Sequence, residues 1–215
     1  PMMDDPSQTP VTGIGALAID RNNPELLFAG TGEPTITLSK AIAAPVGTGM
    51  GVLQSTDGGQ RWSALPWPQS ASAISRIALH PASSDTMLVG SRTGLWKTVN
   101  RGGSWSNTLA GVVSDVRYHE SNPAIVFAAS GSDYGDSRNG VYRSMNGGKP
   151  FSWQKLFVNF PAGDSTGRIL LATTPADPRL LLALVARPIT SDDFLALMRS
   201  TDAGVTWTEI TIPDW

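Results

Sequence analysis

Four short stretches of the chain carry nearly the same sequence, and their spacing constrains the fold more than any other feature. They read Ser55-Thr-Asp57-Gly-Gly59-Gln-Arg-Trp62, Thr98-Val-Asn100-Arg-Gly102-Gly-Ser-Trp105, Ser144-Met-Asn146-Gly-Gly148 running on to Trp153, and Ser200-Thr-Asp202-Ala-Gly204-Val-Thr-Trp207. The Asp or Asn positions lie 43, 46 and 56 residues apart. This period is typical of a four-stranded propeller blade and not of a helical solenoid.

The repeated residues have the chemistry of a tight turn between two strands. A short carboxylate or amide accepts hydrogen bonds from nearby backbone N–H groups, and Gly adopts positive φ without steric cost. Apolar and polar residues alternate in the run before each turn, as in Gly94-Leu-Trp-Lys97, which indicates a half-buried strand. The Trp that closes each turn is predicted to pack between neighbouring sheets.

A second pair of strand-like runs precedes each hairpin, and a turn containing Pro separates the two runs of each pair. The pairs are Ile14–Ile19 with Leu26–Ala29, Ile74–Leu79 with Thr86–Val89, Val113–Tyr118 with Ile125–Ala128, and Ile169–Ala172 with Leu180–Leu184. The sequence therefore predicts an all-β propeller domain with almost no helix. Its four blades are predicted at about 11–67, 68–111, 112–160 and 161–215.

The pattern Ser-x-Asp-x-Gly-x-Thr-Trp resembles the Asp box, or BNR repeat, over the chain from about Val11 to Trp215. Copies two and three depart from it with Asn100 and Asn146, and copy three inserts Pro150 and Phe151. The chain is similar in this respect to propellers of sialidases, xyloglucan-active glycoside hydrolases, sortilin-type receptors and photosystem II assembly factors. The resemblance implies that the box itself is structural and lies on the face away from any active site.

Composition narrows the possible partners. The chain has 215 residues, a net charge of −2 and no basic run, which argues against a nucleic-acid surface. Neither a signal peptide nor an apolar stretch of about twenty residues is recognisable, so membrane insertion is not expected. Because there is no Cys, disulfides and Cys-ligated zinc are excluded. The family resemblance favours an extracytoplasmic location, secreted or periplasmic.

Four blades leave the closure of the propeller open. The propellers that the chain resembles have six or more blades, which requires roughly 250–350 residues at about 45 per blade. The chain is therefore a portion of a larger propeller, a compact four-blade ring, or one of two arcs that complete a ring as a dimer. An unpaired end sheet would favour association.

The link between the second and third strands varies most among the repeats, and all four links are expected on the face opposite the turns. Insertions on one face of a repeat array usually mark its binding face. The predicted ligand-binding residues lie in the three long links: Glu33, Lys40, Asp133, Tyr134, Asp136, Arg138, Asp192 and Asp193.

One residue of the first long link, Glu33, has both an enzymatic and a structural interpretation. In the xyloglucan-active relatives a catalytic Asp aligns with Gly32, and Glu33 is one residue further on. Glycoside hydrolysis needs a second carboxylate, which those relatives take from another propeller, so a loop role for Glu33 is favoured. A sialidase would need three clamping Arg residues and a Tyr/Glu nucleophile pair, and the signature of its arginines is absent.

Other residues have both a functional and a structural interpretation. Arg76, Arg117 and Arg168 occur at comparable inner-strand positions, so they either line a basic channel or are solvated or ion-paired. The oxygens of Asp133, Asp136 and Asn139 are spaced as in a calcium loop, although a solvated acidic turn is favoured. The histidines, His80 and His119, are predicted to stabilise turns, and Trp67 to pack at an edge or to stack on a sugar.

Together, these observations predict a glycan- or protein-binding module without a required cofactor. The alternatives are a portion of a glycoside hydrolase and an assembly factor that docks a protein partner through a basic channel.

Overall fold

The computed structural model describes residues 13–32, 49–69, 72–188 and 194–212. The chain divides into two compact units, Pro1–Ala110 and Gly111–Trp215. Each unit contains two four-stranded antiparallel sheets, whose strands lie side by side in sequence order. In the described part of the chain, helical structure is limited to one 3-10 turn at Gly163–Ser165. The predicted all-β fold with four strands per repeat is confirmed.

The first unit holds sheets 1 and 2. Sheet 1 consists of β1 (Ile14–Ile19), β2 (Leu27–Thr31), β3 (Val52–Ser55) and β4 (Ser63–Ala64). Sheet 2 consists of β5 (Ile74–His80), β6 (Ser83–Ser91), β7 (Gly94–Thr98) and β8 (Ser106–Leu109).

The second unit holds sheets 3 and 4. Sheet 3 consists of β9 (Val113–Tyr118), β10 (Val126–Ser130), β11 (Gly140–Ser144) and β12 (Trp153–Leu156). Sheet 4 consists of β13 (Ile169–Thr173), β14 (Leu181–Ala186), β15 (Phe194–Ser200) and β16 (Thr208–Glu209).

The repeated turns are held by their own buried hydroxyl groups. In each turn the first side chain accepts the backbone N–H groups two and four residues further on; these side chains belong to Ser55, Thr98, Ser144 and Ser200. In turns one, two and four the Asp or Asn accepts a further N–H at 2.8 to 2.9 Å. Turn three, with its insertion, differs: Ser152 lies 2.7 Å from the Ser144 hydroxyl and donates to the carbonyl of Lys149.

Two consecutive residues of every turn adopt positive φ. Turns one and three have Gly at both positions, whereas turns two and four have Arg101 (φ 54°) and Ala203 (φ 57°) before the Gly that all four turns share. A side chain with a Cβ is strained in this left-handed conformation by about 1 kcal/mol. The other non-glycine residues with positive φ in the described part of the chain are Phe151 and Asn159.

The four turn-closing indoles differ in burial, so the prediction that all are core residues needs correction. Only Trp207 is fully buried, at 2% exposure, and its ring lies 5.1 Å from that of Phe160. Trp62, Trp105 and Trp153 are half-buried. The Trp62 ring N–H donates to the carbonyl of Gly59 in its own turn, whereas Trp105 packs against the core of unit 1 as predicted.

Within each unit, two sheets pack face to face through an apolar core. We call the face that sheet 1 turns to sheet 2, and that sheet 3 turns to sheet 4, the trailing face. In sheets 2 and 4 the trailing face is the one with the equivalent ladder positions, and in every sheet the opposite face is the leading face. The core of unit 1 includes Phe28, Val52, Ile74, Ile77, Met87 and Val89. The core of unit 2 includes Phe127, Val141, Leu156, Ile169, Leu171, Leu181, Ala183 and Val185.

Candidate functional site

The links between second and third strands are unequal in length, as the sequence predicts. In sheet 2, two residues connect β6 to β7, whereas in sheet 3 the nine residues Gly131–Asn139 connect β10 to β11. We call this segment loop 3. The corresponding links of sheets 1 and 4 contain Glu33, Lys40, Asp192 and Asp193, which all lie outside the described residues. Loop 3 is therefore the one long link of the predicted binding face that lies entirely within the described residues.

Asn139 fixes loop 3 from below. Its side chain is 1% exposed, its amide NH₂ donates to the carbonyls of Ser132 (2.9 Å) and Thr166 (2.7 Å), and its amide oxygen accepts the Ser132 N–H at 2.8 Å. A buried amide that makes all these bonds closes the loop on itself and ties it to the segment before β13. The sequence spacing predicts Asn139 as a candidate metal ligand and gives no sign of this anchoring role.

A bidentate ion pair holds the second half of loop 3, which runs into β11. The guanidinium of Arg138 contacts the carboxylate of Asp136 through Nε at 2.9 Å and Nη2 at 2.5 Å. The hydrogen bonds from Arg138 lower the pKa of Asp136 to about 2. Two side chains of sheet 3 also bind this half of the loop: Tyr142 donates to the carbonyl of Arg138 and Lys155 donates to that of Ser137, both at 2.7 Å.

Glycines let the loop lie directly on the segment Gly163–Ser165. A Cβ placed on Gly163 would come within 2.5 Å of the carbonyl oxygen of Asp136, and one on Gly135 within 2.6 Å of that of Asp164. Gly135 also adopts φ 77°. Between these contacts, Tyr134 at the tip is 64% exposed. Loop 3 is thus a well-anchored loop that presents an aromatic ring to solvent.

These contacts bear on the predicted calcium site. The amide of Asn139 is committed to backbone groups and the carboxylate of Asp136 to Arg138. Among the described residues, no three acidic or His side chains are grouped so that they could hold a metal ion. In this structure Asp136 and Asn139 close the loop, and the calcium site stays a prediction from the spacing of Asp133, Asp136 and Asn139.

The three inner-strand arginines do not share one position in the sheets, although the sequence suggested that they do. Arg76 is paired with Gly90 and Arg117 with Phe127, whereas Arg168 precedes the first residue of β13. Counted from the paired strand, Arg76 corresponds to Asp115, not to Arg117. Arg76 is the third residue of β5 and Arg117 is the fifth residue of β9. Because β5 and β9 share the same register shift near their first residues, the two arginines lie two residues apart along equivalent strands.

Arg117 forms an ion pair with Asp115, as one of the two sequence interpretations proposed. The Arg117 Nε atom lies 3.3 Å from a carboxylate oxygen of Asp115, whose side chain is 3% exposed. Asp115 also accepts the N–H groups of Val116 at 2.8 Å and of Leu171 at 2.9 Å, and thereby links sheet 3 to sheet 4. Sequence analysis missed this residue; a lone acidic residue in an inner strand was the available signal.

A polar groove lies between β1 and β5 in unit 1. It has a volume of about 270 Å³ and is lined among others by Asp20, Arg76, His80 and Ser84. The hydroxyl of Ser84 donates to the carboxylate of Asp20 and lowers its pKa, while burial lowers the pKa of His80. Asp20 additionally accepts the N–H of Asn22 at 2.7 Å, so one carboxylate oxygen is bonded to its own turn and the other to Ser84 of sheet 2.

The histidines and Trp67 have structural roles. The Nδ1 atoms of His80 and His119 accept backbone N–H groups of the following turns, at 3.2 Å from Ala82 and at 3.2 Å from Asn122, as predicted. Trp67 is half-buried, and its ring lies 4.9 Å from Trp105 and 5.9 Å from Trp96. Of the two roles that the sequence left open for Trp67, the structure supports packing.

No known family model and no curated protein sequence matches this chain. Its fold is similar to that of many solved structures, which include the following three. An ancestral GH74 enzyme has a TM-score of 0.73 at 20% identity, over 96% of this chain and 25% of that one. YCF48 from Cyanidioschyzon merolae has 0.59 at 15% identity, over 96% and 58%. The GH74 xyloglucanase from Xanthomonas campestris has 0.51 at 18% identity, over 94% and 38%.

These similarities, together with the four sequential antiparallel sheets, show a β-propeller fold in which each sheet is a blade. The chain spans 25% to 58% of the length of the three solved structures. Identity this low shows the fold alone, so membership of the Asp-box family stays a prediction. Among the residues that the structure describes, no helix is long and apolar enough to cross a membrane.

Proposed function

We propose that this chain is a ligand-binding module of a propeller, and that loop 3 is one of its contact surfaces for a glycan or a protein. The observation that carries the proposal is the combination of a loop anchored by Asn139, Asp136 and Lys155 with a Tyr134 ring that is 64% exposed. A loop that is already ordered loses little conformational entropy on binding. Tyr offers a large contact area with few rotatable bonds.

The ligand class follows from the chemistry around the ring. An exposed Tyr stacks on the apolar face of a sugar or packs into an apolar cleft of a protein, and its hydroxyl can hydrogen-bond in both cases. Asp133 is beside it in the sequence and Arg138 is largely exposed, which supplies polar groups at the rim. The similarity to a structure described as a xyloglucanase makes xyloglucan oligosaccharides the first probe.

The test is calorimetric titration of the chain with xyloglucan oligosaccharides, with the variants Tyr134→Ala and Phe151→Ala. Phe151 is the matched control, since it is a fully exposed aromatic residue in the turn of the same sheet. We expect Tyr134→Ala to weaken binding by roughly 5- to 30-fold, equal to about 1–2 kcal/mol, and Phe151→Ala to leave it unchanged. Equal effects of the two variants, or none, would contradict a role for loop 3 in glycan binding; protein capture then needs its own screen.

Two competing proposals have different requirements. A glycoside hydrolase needs two carboxylates about 5–10 Å apart across a cleft. The candidate Glu33 lies outside the described residues, so release of reducing sugar from xyloglucan by the chain and by Glu33→Gln is the direct assay. An assembly factor with a basic channel is less favoured, because the charge of Arg117 is balanced by Asp115. The extracytoplasmic location stays a prediction from the family resemblance.

A further inference from the structure

The trailing face of sheet 4 is apolar and exposed. Leu170 of β13 pairs with Leu184 of β14, which pairs with Leu197 of β15, so the three side chains form a row across the sheet. Leu170 and Leu184 are 41% and 45% exposed, whereas their neighbours in the sequence on the other face are buried in the core of unit 2. A strand that is apolar on both faces is typical of a sheet that is covered on both sides.

Ladder positions identify what covers this face in the rest of the molecule. The Ser that opens each turn pairs with a residue of the second strand: Ser55 with Leu27, Ser144 with Val126 and Ser200 with Leu181. Counted from these pairs, Leu182 corresponds to Phe28 and Phe127, and Leu197 corresponds to Val52 and Val141. Phe28, Val52, Phe127 and Val141 belong to the two cores in which a following sheet is packed on the trailing face.

The outer strand repeats the same interface. The N–H of Leu65 donates to the carbonyl of Val52 at 2.9 Å, and the N–H of Ile210 donates to that of Leu197 at 2.8 Å, so Ile210 occupies the position of Leu65. In sheet 3 that position belongs to Leu156, which pairs with Val141.

Leu65 and Leu156 each contact a turn glycine of the following sheet. A Cβ placed on Gly102 would lie 2.6 Å from Leu65, and one on Gly204 would lie 2.5 Å from Leu156. Because Ile210 occupies the same position as Leu65 and Leu156, it can contact the turn glycine of another sheet in the same way.

Sheet 1 carries the complementary half of the interface. On its leading face, Leu17 and Ile19 are 68% and 61% exposed, and they occupy the ladder positions of Ile77 and Leu79 in sheet 2. The turn glycine of sheet 1 is Gly59. Around a Cβ on Gly59, the only described atom within 4 Å belongs to Trp62 of the same turn, so Gly59 has no described counterpart of the leucine that contacts Gly102 and Gly204.

We propose that two copies of this chain associate head to tail, with the leading face of sheet 1 of one copy packed on the trailing face of sheet 4 of the other. Gly59 of one copy then lies on Ile210 of the other, and Leu17 and Ile19 cover the row Leu170, Leu184 and Leu197. The contact repeats the sheet 1–sheet 2 and sheet 3–sheet 4 interfaces. Because it joins different faces, it is heterologous, and it either closes at a small number of copies or extends into a series.

The test is sedimentation velocity of the 22.7 kDa chain across a wide concentration range, with the variants Leu17→Glu, Leu184→Glu and Val99→Glu. Val99 is the matched control, because it is 67% exposed, against 68% for Leu17, but lies in the turn of sheet 2. We expect the wild-type chain and Val99→Glu to associate and each of the other two variants to be monomeric. Because every changed side chain is exposed, we expect all three variants to fold; circular dichroism and melting curves check this.

Mixing the two monomeric variants gives a second, independent readout. Leu17→Glu keeps an intact sheet 4 face and Leu184→Glu keeps an intact sheet 1 face, so the mixture forms one good contact and recovers a dimer of about 45 kDa, twice the chain mass. A wild-type chain that is monomeric at every concentration overturns the proposal. So does association that survives both substitutions, that is lost equally in Val99→Glu, or that mixing does not restore.

Discussion

Replacement of Asn139 by Ala is the most informative perturbation of this molecule, because one buried amide makes three hydrogen bonds to backbone groups. The substitution removes the acceptor of the Ser132 N–H and both donors to the carbonyls of Ser132 and Thr166. A net hydrogen bond is worth about 1 kcal/mol, and a buried partner left unsatisfied adds to the cost. We therefore expect a loss of about 3–5 kcal/mol in the free energy of unfolding.

The assay is urea unfolding of the wild-type chain, Asn139→Ala and the exposed-turn control Asn22→Ala, followed by far-UV circular dichroism. The corresponding fall in melting temperature is roughly 10 °C or more for a unit of about 100 residues. Asn22→Ala should stay within about 0.5 kcal/mol of wild type, as is usual for surface substitutions. If Asn139→Ala costs less than about 1 kcal/mol, the amide does not anchor loop 3, and the argument for a preorganised binding loop fails with it.

Two further predictions concern the turns. Ala203→Gly should raise the free energy of unfolding by about 0.5–1 kcal/mol in urea, because φ is 57° there and glycine relieves the strain at a smaller entropic cost; a destabilised variant would contradict this. The hydrogen bonds from Thr206, and then from Ser200, lower the pKa of Asp202 to about 2, below the reference value of 3.8. A group whose pKa is lower in the folded than in the unfolded state stabilises the fold above its unfolded pKa, so stability should fall as the pH drops from about 4 to about 2. The fall should be steeper in wild type than in Asp202→Asn, which has no carboxylate to titrate. Asn is compatible with the turn, because Asn100 accepts the equivalent N–H in turn two. Equal slopes for wild type and variant in acid titrations of stability would refute that assignment.

Local signals were sufficient for the strands. The run Gly94–Lys97 was predicted and β7 spans Gly94–Thr98; the run Val113–Tyr118 coincides with β9. Here alternation of apolar and polar residues, and a turn whose polar groups bond to their own backbone, specify the structure within a few residues of sequence. The hairpins could therefore be identified before any tertiary contact was known.

Side-chain positions that depend on register could not be predicted in the same way. β5 and β9 shift register near their first residues and β13 does not, so Arg76 and Asp115 share a ladder position that in β13 belongs to Leu170 and not to Leu171. Arg76 and Arg117 are not equivalent, because Arg76 is the third residue of β5 and Arg117 is the fifth residue of β9. The role of Asp115 depends on the N–H of Leu171, which lies 56 residues further along the chain. No local pattern contains that information.

The polar groups at the two ends of sheet 3 have different tasks, which favours a binding role for loop 3 over one for the repeated turns. At the turn end, the hydroxyl of Ser144 is buried and is engaged by the N–H groups of Asn146 and Gly148, so this polar atom is committed to the fold. At the other end, Asn139 and Lys155 anchor loop 3 through hydrogen bonds to backbone carbonyls, and the Tyr134 ring lies in solvent. Substitution at the tip can therefore change binding at little cost in stability, whereas substitution in the turns cannot. A stability scan that found the tip and the turn equally sensitive would remove the basis for this division.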